Sequence, residues 1–90
     1  MKRENYEAWL KALRSRRYRQ GTKKLYDVNT QRYCALGVLE EVGTYGRPIE
    51  FDLPSSVLEE VIDMNDNLGC SFFEIADWIE ENIEPEDNDA

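Results

Sequence analysis

Hydrophobic and polar positions recur with helical spacing in four stretches of the chain, the first of them close to the amino terminus. Its apolar side chains fall at i, i+3, i+4 and i+7, as Tyr6, Trp9, Leu10 and Leu13. This spacing predicts an amphipathic helix. Asn5 is placed to cap the helix, and Gln20-Gly21 supplies a left-handed stop that should end it near Tyr18.

The most apolar run, residues 33–39, predicts the helix around which the rest of the chain packs. Tyr33 and Cys34 should open this helix. Its expected inner face consists of Ala35, Val38, Leu39 and Val42, broadened by Leu36. Gly37 costs about 1 kcal/mol relative to alanine inside a helix, so we expect another backbone to approach too closely for a Cβ there.

Two short β-prone pieces, residues 24–27 and 31–33, flank a turn at residues 28–30 between these two helices. This arrangement predicts a small β-hairpin. Because an isolated hairpin is marginally stable, we expect it to pack on a helix.

The second half of the chain predicts a third and a fourth helix. In the third, either Pro54 occupies the first position or Ser56 is the cap, and a turn containing Asn65 and Asp66 follows. Its apolar stripe is Val57, Leu58, Val61 and Ile62. The fourth helix begins at Ser71, which forms a capping box with Glu74, and its stripe is Phe72, Ile75, Ala76, Ile79 and Ile83.

Together these elements predict one compact, mainly helical α+β domain over residues 1–84. About four short helices pack around the central Cys-Ala-Leu-Gly helix, with a small β-hairpin, and residues 85–90 form an acidic, flexible tail. No apolar run reaches about 18 residues, so no membrane association is expected. No export signal is apparent, so we expect Cys34 and Cys70 to be reduced thiols in a cytoplasm, although the sequence leaves a disulfide open.

Charge is divided unevenly along the chain, whose net charge is −8. Residues 1–24 carry nine basic and two acidic side chains, whereas residues 25–90 carry two basic and seventeen acidic ones. One interpretation is that the two ends attract each other; another is that one charged face docks a partner. The acidic face would comprise Glu59, Glu60, Asp63, Asp77, Glu80, Glu81 and Glu84. A site for a small anionic ligand would instead comprise Arg14, Arg17, Arg19 and Lys24.

Histidine is absent from the sequence, which excludes Cys-His and Ser-His catalysis and removes the commonest metal ligand. Cys34, near a helix start, could be a nucleophile of depressed pKa or a small buried side chain of the core. We expect no metal site and no cofactor. Direct binding of nucleic acid is not expected either, since the acidic part of the chain would repel a long polyanion.

Several short motifs follow one another along the chain. They are Trp9–Ser15 (Trp-x-x-Ala-Leu-Arg-Ser), Tyr18–Gly21, Tyr33–Leu39 (Tyr-Cys-x-Leu-Gly-Val-Leu), Leu53-Pro54, Asn65-Asp66, and Ser71–Ile79 (Ser-Phe-x-x-Ile-Ala-x-x-Ile). In order and spacing the chain resembles a family of small uncharacterised proteins of tailed bacteriophages and prophages. It departs from them at Arg16, where glycine is common, and at Glu40-Glu41, where Cys-Asp is common.

That resemblance implies phage origin, location in the host bacterial cytoplasm and an accessory role, and it supplies no catalytic residue. The first functional hypothesis is therefore non-catalytic binding of a host protein, in host takeover or counter-defence, through the acidic face. The second is sequestration of a small anionic nucleotide by the basic residues. The third is an enzyme that uses Cys34. The identity of the host target and the oligomeric state stay open at this point.

Overall fold

The computed structural model describes residues 1–43 and 51–86, and it confirms the mainly helical α+β class. Its elements in chain order are α1 (Arg3–Arg14), β1 (Arg19–Gln20), β2 (Tyr26–Asp27), β3 (Arg32–Tyr33), α2 (Ala35–Val42), α3 (Ser55–Asp66) and α4 (Phe72–Asn82). Helix α1 packs against α2 and α4, and α3 packs against the same two helices. Within these described residues the fold is thus four helices with a small sheet at one side of α2.

The core lies where α1, α2 and α4 meet. Trp9 and Ile75 are fully buried there. The Trp9 indole Nε1 donates a 2.9 Å hydrogen bond to the carbonyl oxygen of Ala35, so the polar atom of this large ring is satisfied where it is buried. Each such large apolar side chain contributes about 1.5–3 kcal/mol when it leaves water. The amphipathic stripe at the start of the sequence therefore predicted the core side of α1 correctly.

Both ends of α1 differ from the prediction. The helix begins at Arg3, and Asn5 is buried inside it instead of capping it. The cause is tertiary: the carbonyl oxygen of Met1 accepts a 2.7 Å hydrogen bond from the backbone N–H of Glu86, and Lys2 forms a parallel bridge with Glu86. Glu86, assigned from sequence to a flexible tail, is thus held against the first residues; residues 87–90 lie outside the described residues.

At its other end, α1 stops at Arg14, four residues before Tyr18. The Ser15 hydroxyl donates a 2.7 Å hydrogen bond to the carbonyl oxygen of Ala12, and Arg16 takes up the left-handed backbone, with φ 65°. Gly21 is not the stop. It lies against β3, where an added Cβ would be 2.8 Å from the Cβ of Arg32.

The predicted hairpin is confirmed, since β2 pairs antiparallel with β3. A third strand was missed: β1 pairs in parallel with β3, which gives the order β1-β3-β2. Tyr33 belongs to β3 and does not open α2. Its ring contacts those of Tyr18 and Tyr26, with centroids 5.1 and 4.6 Å away. Cys34 is the extended residue that caps α2.

Gly37 confirms the prediction of a close backbone approach. A Cβ at this position would overlap the carbonyl oxygen of Leu25 and lie 2.6 Å from its carbonyl carbon. That same carbonyl oxygen accepts a 3.3 Å hydrogen bond from the backbone N–H of Cys34. The segment before β2 therefore rests directly on the first turn of α2, which fixes the hairpin to the helix.

Helix α3 departs from its predicted start, stripe and end. Pro54 is its cap, so the helix begins one residue later than if Pro54 were its first residue and two residues earlier than if Ser56 were the cap. Val61 is buried, whereas Ile62 is 43% exposed. Asn65 and Asp66 belong to the last helical turn and not to a loop, because Asn65 is buried there and bonded to other elements.

Helix α4 follows the sequence closely. The Ser71 hydroxyl accepts a 3.2 Å hydrogen bond from the backbone N–H of Glu74, and the Glu74 carboxylate accepts one of 3.0 Å from the backbone N–H of Ser71. This is the predicted capping box. The whole predicted stripe is buried: Phe72, Ile75, Ala76, Ile79 and Ile83.

Candidate binding surfaces

Arg14, at the end of α1, joins the predicted basic site to the predicted acidic face. Its guanidinium lies 2.9 Å from a carboxylate oxygen of Asp77 and 3.4 Å from one of Glu80. Hydrogen bonds raise the pKa of Arg14 above its ordinary value; the bond to Asp77 has the largest effect, and the bond to Glu80 the next largest. At this point the oppositely charged parts of the chain attract each other, as one of the two interpretations of the charge pattern expected.

A second cation covers the same side of α4. The guanidinium carbon of Arg16 lies 5.5 Å from the centroid of the Phe73 ring, within the range of a cation–π interaction. Phe73, Asp77 and Glu80 are spaced i, i+4 and i+7, so they form one line on α4. Arg14 and Arg16, at and just after the end of α1, lie against this line, while the Asp77 and Glu80 side chains remain 71% and 59% exposed.

The other five acids of the predicted face remain at the surface. Glu59, Glu60, Glu81 and Glu84 are exposed, and Asp63 is half-buried. Within residues 1–43 and 51–86, none of the five forms an ion pair. The structure therefore divides the predicted acidic face into a paired portion on α4 and an unpaired portion that includes its three members on α3, Glu59, Glu60 and Asp63.

The exposed side of α3 also carries an apolar side chain. Ile62 is 43% exposed, with Glu59 one helical turn before it and Asp63 directly after it. Asp63 accepts a 2.8 Å hydrogen bond from the side-chain amide of Asn67, which holds its carboxylate near the end of the helix. We call Glu59, Glu60, Ile62 and Asp63 the α3 face.

The predicted site for an anionic ligand is not assembled as one cluster. Arg14 is engaged by α4, and Arg17 lines a groove of about 280 Å³ together with Lys11 and Tyr18. Lys24 lines a different cleft, of about 270 Å³. Arg19 is exposed on β1, where it is the register partner of Arg32. The structure therefore does not bring these four basic residues, which are close in sequence, together at one site.

The cleft that contains Lys24 is polar and lies between the β1–β2 connection and the hairpin. Its lining residues are Gln20, Gly21, Thr22, Lys24, Asp27, Thr30 and Arg32. Sequence reasoning had singled out Lys24 alone. The hairpin pattern could have suggested that Asp27 and Arg32 are neighbours, and they are indeed register partners. Nothing in the sequence marked Thr22 or Thr30.

Asn65 connects the segment that lines the polar cleft to helices α2 and α3. Its side-chain oxygen accepts hydrogen bonds from the Gln20 amide at 3.0 Å and from the backbone N–H of Ala35 at 3.2 Å. Its side-chain nitrogen donates to the carbonyl oxygen of Gly21 and to the Asp66 carboxylate, both at 2.8 Å. A residue that the sequence placed in a turn is a buried junction between the sheet, α2 and α3.

Asp66 extends this junction to the cleft. Its carboxylate accepts a 3.0 Å hydrogen bond from the backbone N–H of Lys23, so the chain just before Lys24 is attached to the end of α3. Both residues of the Asn65-Asp66 motif therefore position the segment that lines the cleft.

Cys34 is placed as a core residue. It is buried, and its sulfur accepts a 3.4 Å hydrogen bond from the backbone N–H of Gly37. Burial raises the pKa of the Cys34 thiol, the opposite of what a nucleophile requires. Cys34 and Cys70 are both free thiols. In the described part of the chain, no three potential metal-ligating side chains form a group, and no helix is long and apolar enough to cross a membrane.

Comparison with protein families gives a match for this chain. Neither the curated proteins nor the solved structures yielded a match. The match is to a family described as a domain of unknown function, DUF8296, and it spans residues 1–53. The matched segment contains α1, the sheet, the polar cleft and α2, whereas α3 and α4 lie beyond it. Because the match covers more than half of the chain, this protein belongs to the DUF8296 family.

Proposed function

We propose that this protein is a phage accessory protein that binds a basic surface of a host bacterial protein without catalysing a reaction, in host takeover or counter-defence. The contact is made by the α3 face, in the cytoplasm of the host. The observation that carries the proposal is that the exposed side of α3 carries Ile62 together with three carboxylates that form no ion pair within the described residues. The resemblance to phage proteins supports the choice of a host target.

The α3 face has the composition of a small protein interface. Interfaces place apolar anchors at the centre and polar groups at the rim. Ile62 would supply the anchor, and the carboxylates of Glu59, Glu60 and Asp63 would supply the rim. From residue 51 to residue 86 the chain contains eleven acids and no Lys or Arg, so this half of the molecule attracts a basic partner over a distance of about one Debye length.

The charges that Arg14 neutralises do not take part in this contact. Asp77 and Glu80 already interact with a guanidinium, and a partner would have to displace it. The proposal therefore narrows the predicted acidic face to α3, with Glu81 and Glu84 as peripheral charges that steer the approach.

The enzyme hypothesis receives no support from the surroundings of Cys34. A catalytic thiol needs partial exposure and a stabilised thiolate, whereas this thiol is buried and its pKa is raised. Cys34 instead contributes to the start of α2.

The test is capture of proteins from bacterial lysate with three forms of the chain. The test variant replaces Glu59 and Glu60 by Lys. The matched control replaces Glu4 and Glu41 by Lys, which changes the net charge equally at two exposed positions on α1 and α2. Circular dichroism first establishes that both variants are folded, and captured proteins are identified by mass spectrometry.

The proposal requires that wild type and control capture the same basic protein and that the α3 variant does not. With that protein purified, replacing Ile62 by Ser should weaken binding by about tenfold, which is 1.4 kcal/mol, and added salt should lower the association rate. If the control variant loses capture as completely as the α3 variant, capture depends only on the net charge of the protein and not on the α3 face. That result, or a captured protein with an acidic surface, would refute the proposal.

A further inference from the structure

The polar cleft is lined by residues with four side-chain groups that are able to bind a ligand. They are the Lys24 ammonium, the Arg32 guanidinium and the hydroxyls of Thr22 and Thr30. Across the described residues, none of these four side chains takes part in a hydrogen bond or an ion pair. Two cations and two hydroxyls therefore converge on one cleft with their donors available.

The backbone around the cleft is held in place from several directions. The Gln20 amide donates to the carbonyl oxygen of Cys70 at 2.8 Å as well as to Asn65. Gly21 donates its backbone N–H to the carbonyl oxygen of Tyr33 at 2.7 Å. Because the walls are fixed before any ligand arrives, little ordering is needed on binding.

Asp27 gives the cleft a second kind of recognition. One of its carboxylate oxygens accepts a 2.9 Å hydrogen bond from the backbone N–H of Asn29, which fixes the side chain in the turn. The other oxygen can accept a hydrogen bond from a ligand. A carboxylate opposes the binding of a bare anion, but it favours a ligand that presents a hydroxyl group next to its anionic group.

We propose that this cleft binds a small phosphorylated sugar, either free or as the ribose phosphate of a mononucleotide. Lys24 and Arg32 hold the phosphate by charge-assisted hydrogen bonds, Thr22 and Thr30 donate their hydroxyl protons to its oxygens, and Asp27 accepts from a sugar hydroxyl. The volume of about 270 Å³ lies just below the usual range of ligand sites, about 300–1,000 Å³, which favours a small ligand. This site is independent of the α3 face and differs from the cluster of arginines that the sequence suggested.

The experiment is an amide NMR titration of the full chain with four probes: ribose 5-phosphate, adenosine monophosphate, ribose and inorganic phosphate. We expect ribose 5-phosphate to shift the amide signals of Thr22, Lys24 and Thr30, and ribose alone to shift none. Phosphate should bind more weakly than ribose 5-phosphate. Tighter binding of adenosine monophosphate would identify the nucleotide as the source of the phosphate, and equal or weaker binding would identify the free sugar phosphate.

Matched variants separate the cleft from general attraction of anions. Replacing Lys24 and Arg32 by Gln should weaken ribose 5-phosphate binding at least about tenfold. Replacing Lys11 and Arg17 by Gln removes the same charge at the other groove. This control should change the affinity for ribose 5-phosphate by less than about twofold. Asp27→Asn should reduce the preference for ribose 5-phosphate over phosphate.

Three results would overturn the proposal. The first is that ribose 5-phosphate shifts no amide signal up to about 10 mM. Even a very weak complex would produce shifts at that concentration. The second is equal weakening by the two double variants, which would show unspecific attraction. The third is a set of shifts centred on Arg17 and Tyr18, which would move the site to the other groove.

Discussion

The strongest test of the fold is the replacement of Asn65 by alanine. Asn65 is 3% exposed, and its side chain makes four hydrogen bonds. The substitution leaves the backbone N–H of Ala35, a fully buried residue, without the acceptor that Asn65 provides. It also leaves the carbonyl oxygen of Gly21 without the Asn65 donor. The Gln20 amide keeps its hydrogen bond to Cys70.

The expected loss can be worked from these contacts. A buried polar group left unsatisfied costs about 1–3 kcal/mol, and a lost hydrogen bond between partly exposed groups costs about 0.5–1.5 kcal/mol. The Ala35 N–H is the buried group left unsatisfied, and the bonds to Gly21 and Gln20 are the lost bonds between partly exposed groups. Their summed cost is about 3 kcal/mol. In a domain of this size that corresponds to a fall in Tm of about 12–24 °C.

The assay is urea unfolding followed by circular dichroism, with Asn67→Ala as the matched control. Asn67 is also at the end of α3, but its amide bonds the Asp63 carboxylate in an exposed position, so the control should lose less than about 0.5 kcal/mol. Hydrogen exchange at the Ala35 amide should accelerate in Asn65→Ala and not in the control. If the two variants have free energies of unfolding within about 0.5 kcal/mol, Asn65 is not the junction described here.

Three further predictions concern Gly37 and Cys34, in and next to α2. Gly37→Leu should lower the free energy of unfolding by at least about 3 kcal/mol, because any Cβ overlaps the Leu25 carbonyl; a thermal melt identical to wild type would contradict this. In a Cys70→Ser background, Cys34 should react slowly with a thiol reagent when folded and rapidly in denaturant, because it is buried; rapid native labelling at pH 7 would contradict this. Since burial raises the pKa of Cys34, the unfolded chain loses this proton first, near its ordinary pKa of about 8.5. Stability should therefore fall as pH rises from there toward the folded-state pKa, and less steeply in Cys34→Ala.

The sequence determined the features that depend on neighbours one or two helical turns away. The stripes of α1 and α4 and the capping box at Ser71 were correct, because side chains at i+3 and i+4 share a face whatever the fold. Gly37 was also correctly interpreted, since a glycine within an apolar helix needs a packing reason. The hairpin followed from two β-prone pieces around a short turn.

What the tertiary structure alone decided depends on residues far apart in the chain. Arg14 meets Asp77 across 63 positions, which divides the predicted acidic face and withdraws one residue from the predicted basic site. Glu86 moves the start of α1, and Asn65 bonds β1 and α2 instead of forming a turn. Local propensity cannot specify such pairs, because whether two distant side chains meet depends on how the helices pack. The two candidate binding surfaces, the α3 face and the polar cleft, likewise include charged groups that this packing leaves without an ion pair within residues 1–43 and 51–86.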